Sequence, residues 1–222
     1  MGADDSGSAC VRARAKARRM RCSGMAQSKA KGIFCLETDW WGVKHRTSVE
    51  PAFQLLHTYE HLKVPYIHRH IGTREEFFHY IHKWTLKSFQ RYPVLYLGFH
   101  GTAGHLEVGE RRGSKGQVDL DELGELLEGK CKGRVIHFGS CETLDVHGGT
   151  LNAFLRRTGA VAVMGYRETT NWIDSTAFEI ILLGTLQEWS LTKRGMKALE
   201  KRVRGRASGL AKDLGFRLKV AE

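Results

Sequence analysis

Short apolar runs alternate with longer stretches of helical periodicity through the middle of the chain. Residues 32–37, 64–71, 93–99, 134–139 and 160–165 are apolar or β-branched runs closed by polar or turn residues, and each predicts a strand. Between them, residues 51–62 place apolar side chains at 52, 53, 55, 56, 59 and 62, the spacing of a helix, with Pro51 suited to its first turn. Thr73-Arg74-Glu75-Glu76 reads as a capping box opening a helix that runs to about Gln90. Asp119 suits the cap of a short helix ending at Leu127. Helices are expected over 151–157, from Asp174 to between Gln187 and Trp189, and over 193–204. Gly109, Gly113 and Gly116 punctuate 105–118 as a hairpin excursion. Beyond 204 the pattern assigns no element.

Strands separated by helices predict an α/β fold with a mostly parallel sheet and right-handed crossovers. The same alternation of strand and helix implies a sheet covered by helices on both faces. Functional sites of such sheets form at the carboxyl ends of the strands.

The length of 222 residues suits one sizeable domain plus tails. The net charge of +11 changes the picture only until it is located. Residues 1–31 and 193–206 each carry +6, so the rest of the chain is nearly neutral. The organisation expected is a basic, disordered tail over 1–31 and a single domain over 32–222 with a basic helix near its end. The two basic segments are read first as a solubilising tail and a solvated helix face, with nucleic acid or anionic lipid as alternative contacts. Five cysteines without a CxxC pair (Cys10, Cys22, Cys35, Cys131, Cys141) speak against a disulfide framework or a cysteine zinc site and suit a reducing cytoplasm. No apolar run approaches a membrane span, and no secretory signal opens the chain.

Two predicted strands end in reactive residues. One runs Leu97-Gly98-Phe99-His100-Gly101, the other His137-Phe138-Gly139-Ser140-Cys141. If the strands are parallel neighbours, His100 and Cys141 emerge on one edge, as a thiol nucleophile and its imidazole base require. An adjacent imidazole favours the thiolate, which attacks an acyl carbon, and the histidine then protonates the leaving amine. Gly101 lets the backbone approach a substrate, and the N–H groups of Gly101 and Cys141 are the expected oxyanion donors. Gly139 is expected to permit the turn that presents the cysteine.

Phe99-His100-Gly101-Thr102-Ala103-Gly104 resembles the His-Gly motif of the caspase-like cysteine peptidases, especially the CHAT branch, and Phe138-Gly139-Ser140-Cys141-Glu142-Thr143 resembles that branch's Ser-Cys-Glu motif. Residues 162–166 and 172–178 resemble the strand, loop and helix that follow the cysteine there. The likeness spans about 32–190. It implies a caspase-like three-layer α/β/α sandwich, His100 as base, Cys141 as nucleophile, Gly101 as oxyanion donor and a peptide bond as substrate, with no cofactor.

Asp39 and Trp40 follow the first strand on the same edge and are candidates to line a substrate pocket, Asp39 facing a basic side chain; an ordinary turn with aromatic packing is the alternative. Glu142, Trp172 and Asp174 are weaker contacts, and Thr169 and Thr170 share their loop. His68, His70, His79 and His82 form no recognisable metal set, because no carboxylate or cysteine completes one. The exposed 110–116 loop is a candidate for self-cleavage. Three readings follow: a cytoplasmic cysteine endopeptidase acting on a protein in a stress, defence or cell-death pathway, with an activating partner; a catalytically silent interaction module of the same fold; and a nucleic-acid-associated protein using its basic ends, though no nucleic-acid motif accompanies them.

Overall fold

In the computed structural model, residues 30–42, 44–109 and 116–222 are described. All but the last two residues of the expected basic tail, Cys10, Cys22 and nearly all of the candidate self-cleavage loop lie outside the described residues, while Lys31 is tied to Gln187. Five parallel strands form the body of one sheet: β1 (Ile33–Glu37), β2 (Tyr66–His70), β3 (Val94–Gly98), β7 (Val135–Phe138) and β8 (Ala162–Gly165), with β9 (Arg217–Val220) added antiparallel at the β8 edge. The order is β2-β1-β3-β7-β8-β9. Because β1 connects outward to β2 and β2 returns to β3 on the other side, the order reverses between β1 and β3. In open α/β sheets such a reversal is where ligand crevices form, at the strands' carboxyl ends.

The side chains of β1, β3, β7 and β8 alternate between two cores. Ile33, Cys35, Val94, Tyr96, Val135, Ala162 and Met164 face one way. They pack against α1 (Glu50–Thr58), α5 (Trp172–Leu186), α6 (Lys193–Arg206) and α7 (Ser208–Asp213). Phe34, Leu36, Leu95, Leu97, Ile136, Phe138 and Val163 face the other. Their cover is α2 (Arg74–Thr85), α3 (Leu120–Leu126) and α4 (Gly148–Thr158). Burial on both faces is why these strands read as unbroken apolar runs. Lys31–Glu222 make one compact unit.

Local chemistry sets the helix starts. Thr73 accepts from the Glu76 N–H while Glu76 accepts from the Thr73 N–H, the expected capping box. Asp119 caps α3 through the Glu122 N–H. The helix expected to reach Gln90 instead stops at Thr85 and continues as a 3-10 turn over Lys87–Phe89. The basic α6 buries Gly195, Met196, Leu199 and Val203, so its charge lies on the opposite face.

Three elements were not legible from periodicity, α7 among them. β9 pairs with β8 at the end of the chain. His100 does not simply close β3; it opens a short strand, β4 (His100–Thr102), that pairs with β5 (His105–Glu107), which pairs in turn with β6 (Gln117–Asp119) in a separate antiparallel sheet. The glycine-rich excursion is thus a three-stranded flap rooted at the histidine. Among the described residues, no helix is long and apolar enough to cross a membrane.

Candidate functional site

β3 and β7 are direct neighbours, paired from Val94 with Val135 to Leu97 with Phe138. His100 and Cys141 are each the third residue beyond the last pair, so they follow the ends of two adjacent parallel strands. Backbone packing keeps them together. A Cβ on Gly101 would lie 2.5 Å from the Cys141 carbonyl oxygen and 3.0 Å from Ser140 Cβ, and would also overlap Thr143 Oγ1. Gly104 N–H donates to the Thr143 carbonyl (3.2 Å), fastening the flap to the cysteine loop.

The imidazole is fixed from β1. His100 Nε2 lies 2.7 Å from the Trp40 carbonyl oxygen. A carbonyl can only accept, so Nε2 carries the hydrogen and Nδ1 is the basic nitrogen of the neutral ring. The Trp40 indole meets the His100 ring edge-on at 5.4 Å and the Trp172 ring at 5.2 Å. Trp41, exposed, also flanks the imidazole at 6.0 Å.

The sulfur is held from β8. The Thr170 N–H donates to Cys141 Sγ at 3.4 Å, and Thr170 Oγ1 lies at the same distance. No hydrogen bond joins Sγ to His100; such bonds are often loose without substrate and tighten on binding. The Cys141 N–H has no partner among the described residues, which leaves a donor available beside the sulfur. Glu142 sits at φ 55°, a conformation that costs a non-glycine residue about 1–3 kcal/mol and clusters at functional turns. It is kept there by Thr169 Oγ1 (2.6 Å) and by its own N–H to the Glu168 carbonyl (3.3 Å).

The other thiols differ. Burial, reinforced by Glu37, Glu179 and Glu50, pushes the Cys35 thiol well above its ordinary value. Burial pushes Cys131 up to about 12. Cys141 alone of the three described thiols is partly exposed.

The remaining sequence candidates divide. Asp39 is engaged by His70 at 2.9 Å, so it is not a free carboxylate awaiting a basic side chain. Trp40 is buried and contributes its carbonyl, not an open wall. Glu142 is tied to Thr169, Trp172 braces Trp40, and Asp174 is exposed in the first turn of α5. Among the described residues, no three His, Cys, Asp or Glu side chains gather as a metal set. His68 instead bonds Glu37 at 2.6 Å.

One expectation changes its reason. Gly139 does not adopt a positive φ; its missing side chain makes room for Tyr96, whose Cζ would sit 2.5 Å from a Cβ there. Tyr96 Oη donates to Glu179 Oε2 (2.7 Å), and Tyr166 Oη and His137 Nε2 reach Glu179 Oε1 (3.1 and 3.2 Å). This buried polar cluster beneath the cysteine loop was missed. Its only sequence signal is one glutamate inside the most apolar helix. Arg217, on the unforeseen β9, donates to the Leu144 and Val146 carbonyls and pins the segment after the cysteine.

A six-stranded, mostly parallel sheet flanked by helices defines a caspase-like α/β fold. Caspase-1 from Spodoptera frugiperda aligns with a TM-score of 0.53 at 12% identity, covering 86% of this chain and 87% of that one. The Drosophila initiator caspase Dronc aligns with a TM-score of 0.53 at 14% identity, covering 88% and 82%. A family model matches residues 30–219, and the chain belongs to that family, a family of unknown function (DUF6642). No curated protein matches it by sequence.

Proposed function

We propose that this chain is a cysteine endopeptidase that hydrolyses peptide bonds with Cys141 as nucleophile and His100 as base. The observation that supports the reading is that His100 and Cys141 follow the ends of adjacent parallel strands, with the Gly101 backbone packed on the Cys141 loop and the imidazole's Nε2 hydrogen committed to Trp40. His100 Nδ1 takes the thiol proton, and the thiolate attacks the peptide carbonyl carbon. The resulting oxyanion is met by the Cys141 N–H and the Gly101 N–H. Collapse breaks the C–N bond as the imidazolium protonates the leaving amine, leaving a thioester. Water, deprotonated by His100, cleaves the thioester and restores the thiol. The substrate is a protein or peptide, and no cofactor is required.

The test is iodoacetamide labelling and peptide-library cleavage by the full chain. Cys141 should alkylate first, Cys141→Ala should abolish cleavage, and His100→Ala should slow it by about 100-fold or more. The engagement of Sγ by Thr170 favours a second reading, a silent interaction module of this fold. Unchanged Cys141 labelling in His100→Ala, with no cleavage by the unmutated chain, would select that one.

A further inference from the structure

Glu37 is the last residue of β1 and is 1% exposed, an unusual place for a carboxylate in an otherwise apolar strand. Oε1 accepts from the Trp40 indole N–H (2.5 Å) and the Val49 N–H (2.8 Å). Oε2 accepts from Ser48 Oγ (2.6 Å) and His68 Nε2 (2.6 Å). All four acceptor positions of the carboxylate are therefore filled. The donors come from both ends of the 38–49 loop and from β2.

The loop has one consequence for the site. Trp40 is clamped at its indole by Glu37 and braced on one side by Trp172. On another side it lies against Gly98, where a Cβ would meet its ring at 3.4 Å. Its carbonyl oxygen then has a fixed direction, and that oxygen receives His100 Nε2. Two hydrogen bonds through one residue connect a buried carboxylate on β1 to the imidazole after β3, at the point where the strand order reverses.

We propose that Glu37 is a positioning residue for His100, acting through Trp40 to hold the imidazole in its Nε2–H tautomer with Nδ1 turned to the basic role. It touches neither the sulfur nor a substrate. The inference rests on the Cys141–His100 reading for its catalytic meaning, but the tautomer is a property of the free protein.

The experiment uses the full chain and two variants. Glu37→Gln keeps the side-chain size and puts an amide NH₂ among four donors. Trp40→Phe removes the indole donor together with part of the ring surface that meets Trp172 and His100, and leaves the backbone carbonyl. ¹⁵N-histidine NMR reads the tautomer, with the His100 signals assigned by their loss in His100→Ala. Iodoacetamide alkylation of Cys141 across pH reads the base, and urea unfolding reads stability. The unmutated chain should show His100 as Nε2–H. Both variants should show mixed tautomers and alkylate Cys141 more slowly, by about tenfold or more in Glu37→Gln, since small misplacements of a reacting group cost that much. A purely structural glutamate would lower stability and leave tautomer and alkylation profile unchanged in both variants; that result overturns the proposal. If Glu37→Gln does not fold, Trp40→Phe decides alone. Should Cys141 in the unmutated chain react no faster than in urea, the peptidase reading fails, while the tautomer comparison still judges the link from Glu37.

Discussion

A side chain at Gly101 would have to enter space already held by the Cys141 carbonyl, Ser140 and Thr143. The glycine was expected because backbone must approach a substrate; the structure adds that it must also approach the cysteine loop. Gly101→Ala should therefore part the flap from that loop. We expect a loss of about 1–3 kcal/mol in urea unfolding, typical of overpacking a tight site, together with slower Cys141 alkylation. An alanine tolerated without change in either would mean the loop yields freely. At Gly139 the glycine was expected for the turn that presents the cysteine, and only the folded chain shows that Tyr96 lies beneath it where a Cβ would not fit.

At the scale of elements, Glu37 is a clasp between β1, the start of α1 and β2. Burial alone would raise its pKa, but the bonds from His68, Ser48, Trp40 and Val49 more than offset this and hold it below its ordinary value of 4.5. A carboxylate lowered by folding adds stability that is complete above its unfolded value and is lost as pH falls through its folded one. The stability advantage of the natural chain over Glu37→Gln should thus be full above about pH 5 and shrink on acidification below 4.5, measured by urea unfolding at stepped pH. An advantage that is flat through that range would mean the carboxylate's charge is not what the clasp uses. Elements with strong local signals were legible: the β1, β3, β7 and β8 runs, the Thr73 box and the Asp119 cap. β4 and β9 were not, because the polar His-Gly-Thr of β4 and the mixed Arg-Leu-Lys-Val of β9 form no apolar run and exist as strands through their pairing partners.

For the whole molecule, the two cores turn the described cysteines into reporters. Cys35 faces the α1–α5 core and Cys131 the α2–α4 core, both fully buried. In the native state iodoacetamide should reach Cys141 while sparing these two, and with rising urea both should become reactive over the main unfolding transition. Early reaction of either, before the loss of secondary structure, would show that its core opens by itself. The charge of the chain reads differently at this scale as well. The described share of it is spread along one face of α6, whose other face is core, so the high net charge says little about the candidate site.

The sequence by itself determined the alternation of strand and helix, the burial of the sheet on both faces, and the two glycine-flanked strand ends bearing His100 and Cys141. These are local facts: periodicity, caps and composition act over a few residues and survive in one dimension. Tertiary structure decided which strands are neighbours, and so that the histidine and the cysteine follow the ends of adjacent strands β3 and β7. It also decided the partners of each: a carbonyl from the loop after β1 for the imidazole, and a threonine from the loop after β8 for the sulfur. Such contacts join residues 29–60 positions apart, where chain order carries no information and only the packing of the sheet sets the distance.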